Sequence, residues 1–350
     1  MRFLYKQLDL SLLACIVFIV FGSALQSSFA SEREVVVASW NVENLFDIID
    51  NPDTKGDDAY TPRGWAQWTD SKYKVKLEHL AEVIASIKPD ILCLSEVENR
   101  KVLEDLSETL KKNHASLLPV IVHRDSWDFR GIDVAIMSKF KPVNKQWFSP
   151  LFGQRDTLAC EFEIDGRELI VLVNHWKSKL GNKKKSDYTR NQQAKSVRKF
   201  IDKELKSNPS AAIVVTGDFN SNIGESFLTE TAGFLTDRKE MIKDKNRDKL
   251  YNLAADLGEQ ERKTYYYTRG KQWNSLDSIS VTRGMLGINP KSAWRVKPDS
   301  YKVYKPEKLC FKEIGSPLPY RRVRSKEVGD KFIAGYSDHF AVYVVLEMAE

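Results

Sequence analysis

The stretch I-V-V-T-G-D-F-N, residues 213–220, joins a short apolar run to a polar turn. Its first four residues are β-branched, which is typical of a strand buried in a sheet. A glycine, a carboxylate and an amide follow at once, so the predicted strand ends in side chains that can bind ions. Asn and Asp also close ordinary turns, and this stretch alone does not distinguish the two explanations.

Polar residues stand at the ends of other predicted strands in the same way. The strands are predicted at 35–40, 91–94, 168–173, 279–281 and 340–346, and the polar residues beside them are Asn41, Glu96, His175, Asp277, Asp338 and His339. If those strand ends lie on one side of the sheets, they form a single acidic cleft that contains histidine. So many coincidental turns in one chain would be an unusual accident.

The spacing of apolar residues predicts how strands and helices alternate. Three amphipathic stretches predict helices, at 72–88, 101–111 and 186–205. Asp165-Gly166 separates two strand-like runs, which indicates a hairpin. Because a hairpin interrupts the alternation, the pattern favours mixed sheets covered by helices over a purely parallel sheet. Three regions are expected to be irregular: 141–156, 236–250 and 284–330.

The first thirty residues differ from the rest of the chain. Arg2 and Lys6 precede an apolar run from Leu10 to Leu25, and Ser28-Phe29-Ala30 follows it, an order typical of a secretory signal. The run is shorter than the roughly 20 residues that cross a bilayer, so cleavage is favoured over a membrane anchor. We therefore expect a signal peptide at 1–30, a single domain at 31–350 with no membrane span, and a secreted or periplasmic location.

The composition of the chain sets limits on its partners. The protein has 350 residues, of which 42% are hydrophobic, as expected for a soluble globular protein. A formal net charge of +6 permits binding to polyanions but does not require it. No feature indicates a stable protein partner, and we expect a monomer.

Hydrolysis of a phosphodiester needs the residue types found at these strand ends. A metal ion neutralises charge on the phosphoryl group, a base positions water, and an acid or cation assists the leaving oxygen. Mg²⁺ and Mn²⁺ prefer the oxygen ligands that Asn41, Glu96 and Asp338 offer. Zinc is disfavoured because the predicted cleft has no closely spaced pair of His or Cys ligands.

Six segments occur in an order that belongs to a known group of proteins. They are S-W-N-V-E-N-L-F-D (39–47), L-S-E-V-E-N (94–99), V-N-H-W-K-S-K (173–179), V-T-G-D-F-N (215–220), L-D-S-I (276–279) and Y-S-D-H-F-A-V (336–342). Over nearly all of residues 35–347 the chain resembles the endonuclease/exonuclease/phosphatase superfamily, which includes DNase I-like nucleases. The N-V-E-N and E-V-E-N forms are similar to a bacterial exported subgroup. The resemblance implies an α/β fold in which two packed mixed β-sheets are flanked by helices, a four-layer sandwich.

The resemblance also implies catalytic roles for individual residues. Asp218 matches the residue that orients or deprotonates the attacking water, and Asn220 the amide that contacts the phosphate. His339 matches the imidazole close to the scissile phosphate, with Asp277 as its carboxylate partner. His175 matches a second histidine, a candidate general acid whose own carboxylate partner the sequence does not reveal. Ser278 departs from the family pattern, in which an aromatic residue or histidine often follows the aspartate.

The remaining matches concern the metal and the substrate. Asn41, Glu96 and Asp338 match metal-site residues, which implies Mg²⁺ or Mn²⁺ as cofactor, with Ca²⁺ as an alternative. Three basic residues are candidates for phosphate binding: Arg130, Lys177 and Arg190. For the lysine-rich run that begins at Lys177, a solvated surface is the favoured explanation.

These observations favour an exported, metal-dependent phosphodiesterase, and most of all a nuclease that hydrolyses DNA or RNA, acting as an endonuclease. One alternative is a phospholipid phosphodiesterase or phosphatase of the same fold, similar to a sphingomyelinase. The inositol-polyphosphate phosphatases carry W-C-D-R-I where this chain has L-D-S-I (276–279), so that branch is less favoured. The other alternative is a non-catalytic binding module, which has no need for the complete set of catalytic residues.

Overall fold

The computed structural model describes residues 33–52, 54–325 and 329–349. The predicted signal peptide at 1–30 lies outside these residues. From Glu34 onward the described chain forms one compact unit. None of its helices is both long and apolar enough to cross a bilayer.

Each of the three long helices begins at a side chain that caps its first turn. The helices are α1 (Asp70–Ile87), α2 (Arg100–His114) and α3 (Lys183–Ser207), and a short α4 follows at Arg238–Met241. The caps are Thr69, Asn99 and Asn182, whose side chains each accept the backbone N–H of the third residue of the helix. The three predicted helices are confirmed, although α3 begins earlier than its apolar stripe indicated.

The first large sheet contains seven of the described strands and is mixed. Its strands are β1 (Glu34–Leu45), β2 (Ile91–Val97), β3 (Val120–Val122), β4 (Asp133–Ser138), β14 (Trp294–Val296), β15 (Lys302–Tyr304) and β18 (Ala341–Met348). They run in the order β14-β18-β1-β2-β4-β3, with β15 also paired to β18. The central pair β1–β2 is parallel, whereas β1–β18 and β2–β4 are antiparallel.

The second large sheet also has seven described strands. They are β5 (Asn144–Phe148), β6 (Thr157–Ile164), β7 (Arg167–His175), β8 (Ile213–Asp218), β9 (Phe234–Leu235), β10 (Leu250–Asn252) and β13 (Asp277–Thr282). Their order is β5-β6-β7-β8-β13-β10-β9. The predicted hairpin at Asp165-Gly166 is confirmed, because β6 and β7 pair antiparallel on either side of it and both turn residues have positive φ.

Two smaller pairs of strands complete the set. They are β11 (Tyr265–Tyr267) with β12 (Gln272–Asn274), and β16 (Tyr320–Ser325) with β17 (Gly329–Ala334). Four short strands therefore lie in regions expected to be irregular, namely β5, β14, β15 and β16, and β17 begins at the end of the last region. That expectation was wrong for these segments because they are edge or isolated pairs, whose polar, half-exposed residues carry little of the apolar periodicity on which the prediction depended.

The buried apolar residues of the described chain form three clusters. Apolar residues from the facing sides of both sheets, such as Val37, Val134, Val171 and Val214, form the central cluster. A second cluster packs the outer face of the first sheet against α1 and α2, and a third packs the second sheet against α3. The expected four-layer sandwich of two mixed sheets flanked by helices is confirmed.

Strand register places the polar strand ends beside one another. Parallel pairing of β7 with β8 sets His175 opposite Asp218, and antiparallel pairing of β8 with β13 sets Asp218 opposite Asp277. In the first sheet, β1 and β2 set Asn41 beside Ser95, and the register shifts immediately afterwards. The shift coincides with left-handed backbone at Glu43, Asn44 and Glu96, whose φ angles are 53°, 54° and 64°.

Gly217 allows the close approach of β7 and β8 at this point. Its φ is 132°, and a Cβ built there would lie 2.0 Å from the backbone oxygen of Asn174. We expect Gly217→Ala to lower the free energy of unfolding by about 3 kcal/mol, since both the backbone and its neighbour must shift. Urea denaturation monitored by circular dichroism measures the change. Gly224→Ala is the control, because nothing lies within 4 Å of its Cβ position; equal losses in the two variants would contradict this explanation.

Candidate active site

Asp218 lies at the centre of the cleft between the two sheets. Its Oδ2 accepts a hydrogen bond from Nδ2 of Asn41 at 3.1 Å, and its Oδ1 accepts the backbone N–H of Asn220 at 2.8 Å. The side chain is buried, and this burial raises its pKa to about 7; the charge of Asp277 adds to the effect, while His339 opposes it. Asp218 therefore holds its negative charge at an energetic cost, which favours the approach of a proton or a cation.

His339 forms a short hydrogen bond with the carboxylate expected to be its partner. Its Nδ1 lies 2.7 Å from Oδ2 of Asp277, which assigns the proton on that nitrogen and turns Nε2 towards Oδ2 of Asp218 at 3.9 Å. Burial alone would lower the pKa of His339, but the charges of Asp277, Asp218 and Asp338 outweigh it and hold the pKa well above its usual value. Tyr265 covers the imidazole with its ring, 4.7 Å between centroids.

The segment before β18 locks His339 into this position. Nε1 of Trp40 donates to the backbone oxygen of His339 at 2.9 Å. The hydroxyl of Ser337 accepts the backbone N–H of His339 and donates to the backbone oxygen of Asn41. These contacts tie the last strand to the first one, so the motif Ser337-Asp338-His339 positions groups from both ends of the chain.

His175 faces the same carboxylate from the opposite side. Its Nε2 lies 3.6 Å from Oδ2 of Asp218 and 3.8 Å from Oε1 of Glu96. Burial, reinforced by the nearby charges of Arg155 and Arg130, holds the pKa of His175 well below its usual value. The neutral imidazole can donate a hydrogen bond to a group in the cleft, and the general-acid role that the resemblance implies for His175 stays a prediction. Among the described residues, its Nδ1 has no hydrogen-bond partner.

Oxygen ligands suited to a divalent cation converge beside these groups. Oε1 of Glu96 and Oδ2 of Asp218 both lie close to Nδ2 of Asn41, at 3.3 and 3.1 Å. Both carboxylate oxygens accept from the same amide nitrogen, which carries no charge. The negative charge that remains is one that a hard cation would balance. Asp338 lies on the other side of His339, with its Oδ1 4.0 Å from Nε2 of the ring. The residues present therefore fit a divalent metal.

Asp218, Asp277 and His339 each offer one potential ligand atom, and these three atoms lie within 4.8 Å of one another. This group differs from the predicted metal ligands Asn41, Glu96 and Asp338. The short bond between His339 and Asp277 already occupies one atom of each residue. We therefore interpret the group as a hydrogen-bonded His339–Asp277 pair beside Asp218, and expect the metal nearer to Glu96 and Asn41.

Three charged residues at the cleft were missed by the sequence analysis. Arg321 lies between two carboxylates, with its Nη1 3.0 Å from Oε1 of Glu43 and 2.8 Å from Oδ2 of Asp338. Burial, and then the charge of Asp338, raise the pKa of Glu43 to about 7. Lys76 is fully buried below them and donates to the backbone oxygen of Tyr336, and burial lowers its pKa to about 8.

The signals for these three residues were weak or lacking. Glu43 is part of the segment 39–47 that carried the resemblance, two residues from Asn41. Lys76 is one of several lysines on a helix that reads as amphipathic. Arg321 falls in a region expected to be irregular, where its only signal was membership of a basic run.

The predicted phosphate-binding residues occupy different places. Arg130 is exposed at the rim, where its Nη2 donates to Oδ1 of Asn44 at 2.6 Å. Lys177 is partly buried, two residues beyond His175. Arg190 is buried in α3, where it donates to the backbone oxygen of Lys177 and pairs with Asp187. Arg190 thus supports the loop after His175, and its binding of a phosphate stays a prediction. Asn220 lies inside it, with Nδ2 donating to the backbone oxygen of Trp176 at 3.0 Å.

This fold and this arrangement of carboxylates, amides and imidazoles define a class of phosphoester-hydrolysing proteins. The sequence profile of the Endonuclease/Exonuclease/phosphatase family matches residues 36–348. The chain belongs to that family. It is accordingly a phosphoric ester hydrolase of the phosphodiesterase/nuclease type, and enzymes of this family depend on divalent metals.

Comparison with solved structures shows the same fold. Truncated TDP2 from Caenorhabditis elegans is 17% identical, with a TM-score of 0.55 over 90% of this chain and 98% of that one. TDP2 from D. rerio, solved with a single-strand DNA product, is 14% identical, with a TM-score of 0.54 over 91% of this chain and all of that one. A family member from Bacteroides thetaiotaomicron is 18% identical, with a TM-score of 0.53 over 91% and 99% of the two chains. A search of curated proteins by sequence found no significant match.

Arg321 offers a test of how charge is balanced in the cleft. In metal-free protein we expect Arg321→Met to lower the free energy of unfolding by roughly 1–2 kcal/mol, because the substitution leaves the buried carboxylate of Glu43 without its cation. The guanidinium of Arg321 is partly exposed, and solvent screening limits the size of this loss. The pKa of Glu43 is raised to about 7, so this carboxylate is protonated at about pH 5 and charged at about pH 8. The loss should therefore grow as pH rises through about 7.

Urea denaturation at the two pH values, with a chelator present, measures the effect. Arg324→Met is the matched control, since Arg324 lies on the same strand but pairs with Asp330 outside the cleft. A loss at low pH as large as that at high pH, or an equal loss in the control, would show that Glu43 is not the group that Arg321 neutralises.

Proposed function

We propose that this protein is an exported, metal-dependent phosphodiesterase that acts as a nuclease on DNA or RNA. The observation that carries the proposal is the convergence of two imidazoles on one buried carboxylate. Nε2 of His175 and Nε2 of His339 lie 3.6 and 3.9 Å from Oδ2 of Asp218. A phosphoryl group and its attacking water bound at this point would meet a base and two imidazole rings.

Each of these residues has a distinct task in the proposed reaction. Asp218 accepts a proton from the attacking water. Asn220, whose backbone N–H donates to Asp218, helps to align this water. His339, held by Asp277, donates from Nε2 towards the phosphoryl oxygens and stabilises the charge that develops on them. His175 donates a hydrogen bond to the leaving oxygen, for which it is the candidate general acid.

The cofactor is proposed to be Mg²⁺ or Mn²⁺, held by Asn41 and Glu96 with Asp338 as a further ligand. When bound, the metal would neutralise negative charge on the phosphoryl group and activate the leaving oxygen. The hard oxygen donors of this set favour such ions over softer metals. Arg130 and Lys177 supply positive charge at the rim, where the flanking phosphates of a polymer would pass.

Two further observations support a nucleic acid as the substrate. The chain carries a net charge of +6, which is compatible with a polyanion. The similar TDP2 structure from D. rerio was solved with a single-strand DNA product. Export rests on the signal-like residues 1–30, and it would place the enzyme in the periplasm or outside the cell, where extracellular nucleic acid is a source of nutrients.

Substitution of the central residues tests the chemistry. We expect Asp218→Asn and His339→Asn each to lower turnover by roughly 10²- to 10⁴-fold while the thermal melt stays close to that of the wild type, because each loses one proton-transfer or charge-stabilising group. Hydrolysis of bis-p-nitrophenyl phosphate measures turnover. His114→Asn is the matched control, since this imidazole is exposed at the last residue of α2. Wild-type turnover in either cleft variant would rule out the proposed mechanism.

A panel of substrates tests the assignment of the substrate. With Mg²⁺ or Mn²⁺ we expect cleavage of plasmid DNA or RNA as well as bis-p-nitrophenyl phosphate, and a chelator should stop all of these reactions. Closed-circular plasmid also distinguishes internal cleavage from digestion at ends. If sphingomyelin is hydrolysed and neither nucleic acid is, the protein is a phospholipid phosphodiesterase and the nuclease proposal is wrong.

A further inference from the structure

Three aromatic side chains stand unusually exposed in two neighbouring loops. Trp127 and Phe129 are each 73% exposed and Phe152 is 76% exposed. Their rings nevertheless contact one another, with centroids 5.6 Å apart for Trp127–Phe152 and 6.3 Å for Phe129–Phe152. We call these three residues the aromatic ridge. Large apolar groups that cluster in water usually mark a binding surface.

Both loops emerge at the edge of the sheets that carries the active site. The loop with Trp127 and Phe129 leads into β4, whose first residue, Asp133, pairs with Val97 directly after Glu96. The loop with Phe152 leads into β6, whose first residue, Thr157, donates to the side chain of Asn174 beside His175. The ridge therefore joins the first and second sheets across the rim of the cleft.

Polar contacts fix the ridge to the cleft itself. Arg155 forms an ion pair with Asp128 at 3.7 Å and donates to the backbone oxygen of Trp176 at 3.4 Å, so it links both loops to the segment after His175. Arg130 follows Phe129 directly, and its guanidinium donates to the side chain of Asn44. The backbone N–H of Asn44 in turn donates to the carboxylate of Glu96. Gly153 packs under the ring of Phe129, with no space for a Cβ. The rings are thus held in place beside a cationic group.

We propose that the aromatic ridge is a binding subsite for unpaired nucleobases next to the scissile phosphate. This inference rests on the proposed nuclease function and adds a substrate class to it, namely single-stranded nucleic acid or a frayed end. Flat aromatic faces stack on any base, and a neighbouring arginine binds the adjoining phosphate. Bases in an intact duplex are already stacked on each other, so they offer the ridge no free face.

Charge in the same loops argues against a lipid bilayer as the occupant. Asp125 is 81% exposed and lies two residues from Trp127. Insertion of the ridge into the boundary between headgroups and acyl chains would carry this carboxylate, and Arg124 beside it, into a medium of low polarity. A nucleic acid leaves both groups in water and uses the arginines.

Binding measured in the presence of a chelator tests the subsite without hydrolysis. The probe is a short fluorescein-labelled oligothymidylate, compared with a blunt duplex of the same length. We expect Trp127→Ala and Phe152→Ala each to weaken binding of the single strand by roughly 5- to 100-fold, and Trp127→Tyr to retain most of the affinity. Duplex binding should change little, and turnover of bis-p-nitrophenyl phosphate should match that of the wild type.

The matched control is Leu117→Ala, an equally simple truncation of an exposed apolar side chain before β3, at the opposite end of the first sheet. Unchanged affinity for the single strand in the ridge variants would overturn the proposal. Equal losses of affinity for the single strand and for the duplex would also overturn it. The same holds if the ridge variants lose binding to sphingomyelin–phosphatidylcholine vesicles and keep their affinity for the single strand. Failure of the wild type to hydrolyse any phosphodiester would instead count against the nuclease function, which separates the two ideas.

Discussion

Backbone hydrogen bonds between β7, β8 and β13 set His175, Asp218 and Asp277 in one row across the second sheet. The row ends where the first sheet packs against the second, so the side chains of Asn41 and His339 meet it from the facing layer. A slip of one residue in any of these strands would turn the polar side chain to the opposite face. The chemistry of the cleft therefore depends on the register of a few hydrophobic strands.

The same register concentrates negative charge in a place with little water. Asp218 and Glu43 are both buried, and burial raises the pKa of each to about 7. The protein offsets part of this charge with Arg321 and Lys76, and part with the imidazolium of His339. The remaining excess around Glu96 and Asn41 is what makes a divalent cation a natural occupant. Metal binding and structural charge balance thus belong to one connected network.

Local patterns predicted much of this arrangement. The helices α1 to α3, the central strands and the hairpin at Asp165-Gly166 follow from apolar periodicity and turn residues, because these signals arise within a few residues of chain. The short strands β5 and β14 to β17 did not, since edge strands take their conformation from neighbours distant in sequence. Arg321 lies on one of them, and for that reason its contact with Asp338 could not be foreseen.

Motifs along the chain determined the family, the chemical class of the reaction and the identity of most residues in the cleft. They could do so because each motif joins a strand to a reactive side chain within a short segment. Tertiary structure alone decided how those segments act together. It turned both imidazoles towards Asp218, tied Asp338 to Arg321, and bonded Arg190 to Asp187 and to the backbone of Lys177. It also brought Trp127 and Phe152 together at the rim. Such outcomes depend on distances between residues far apart in the chain, which only the packing of the two sheets sets.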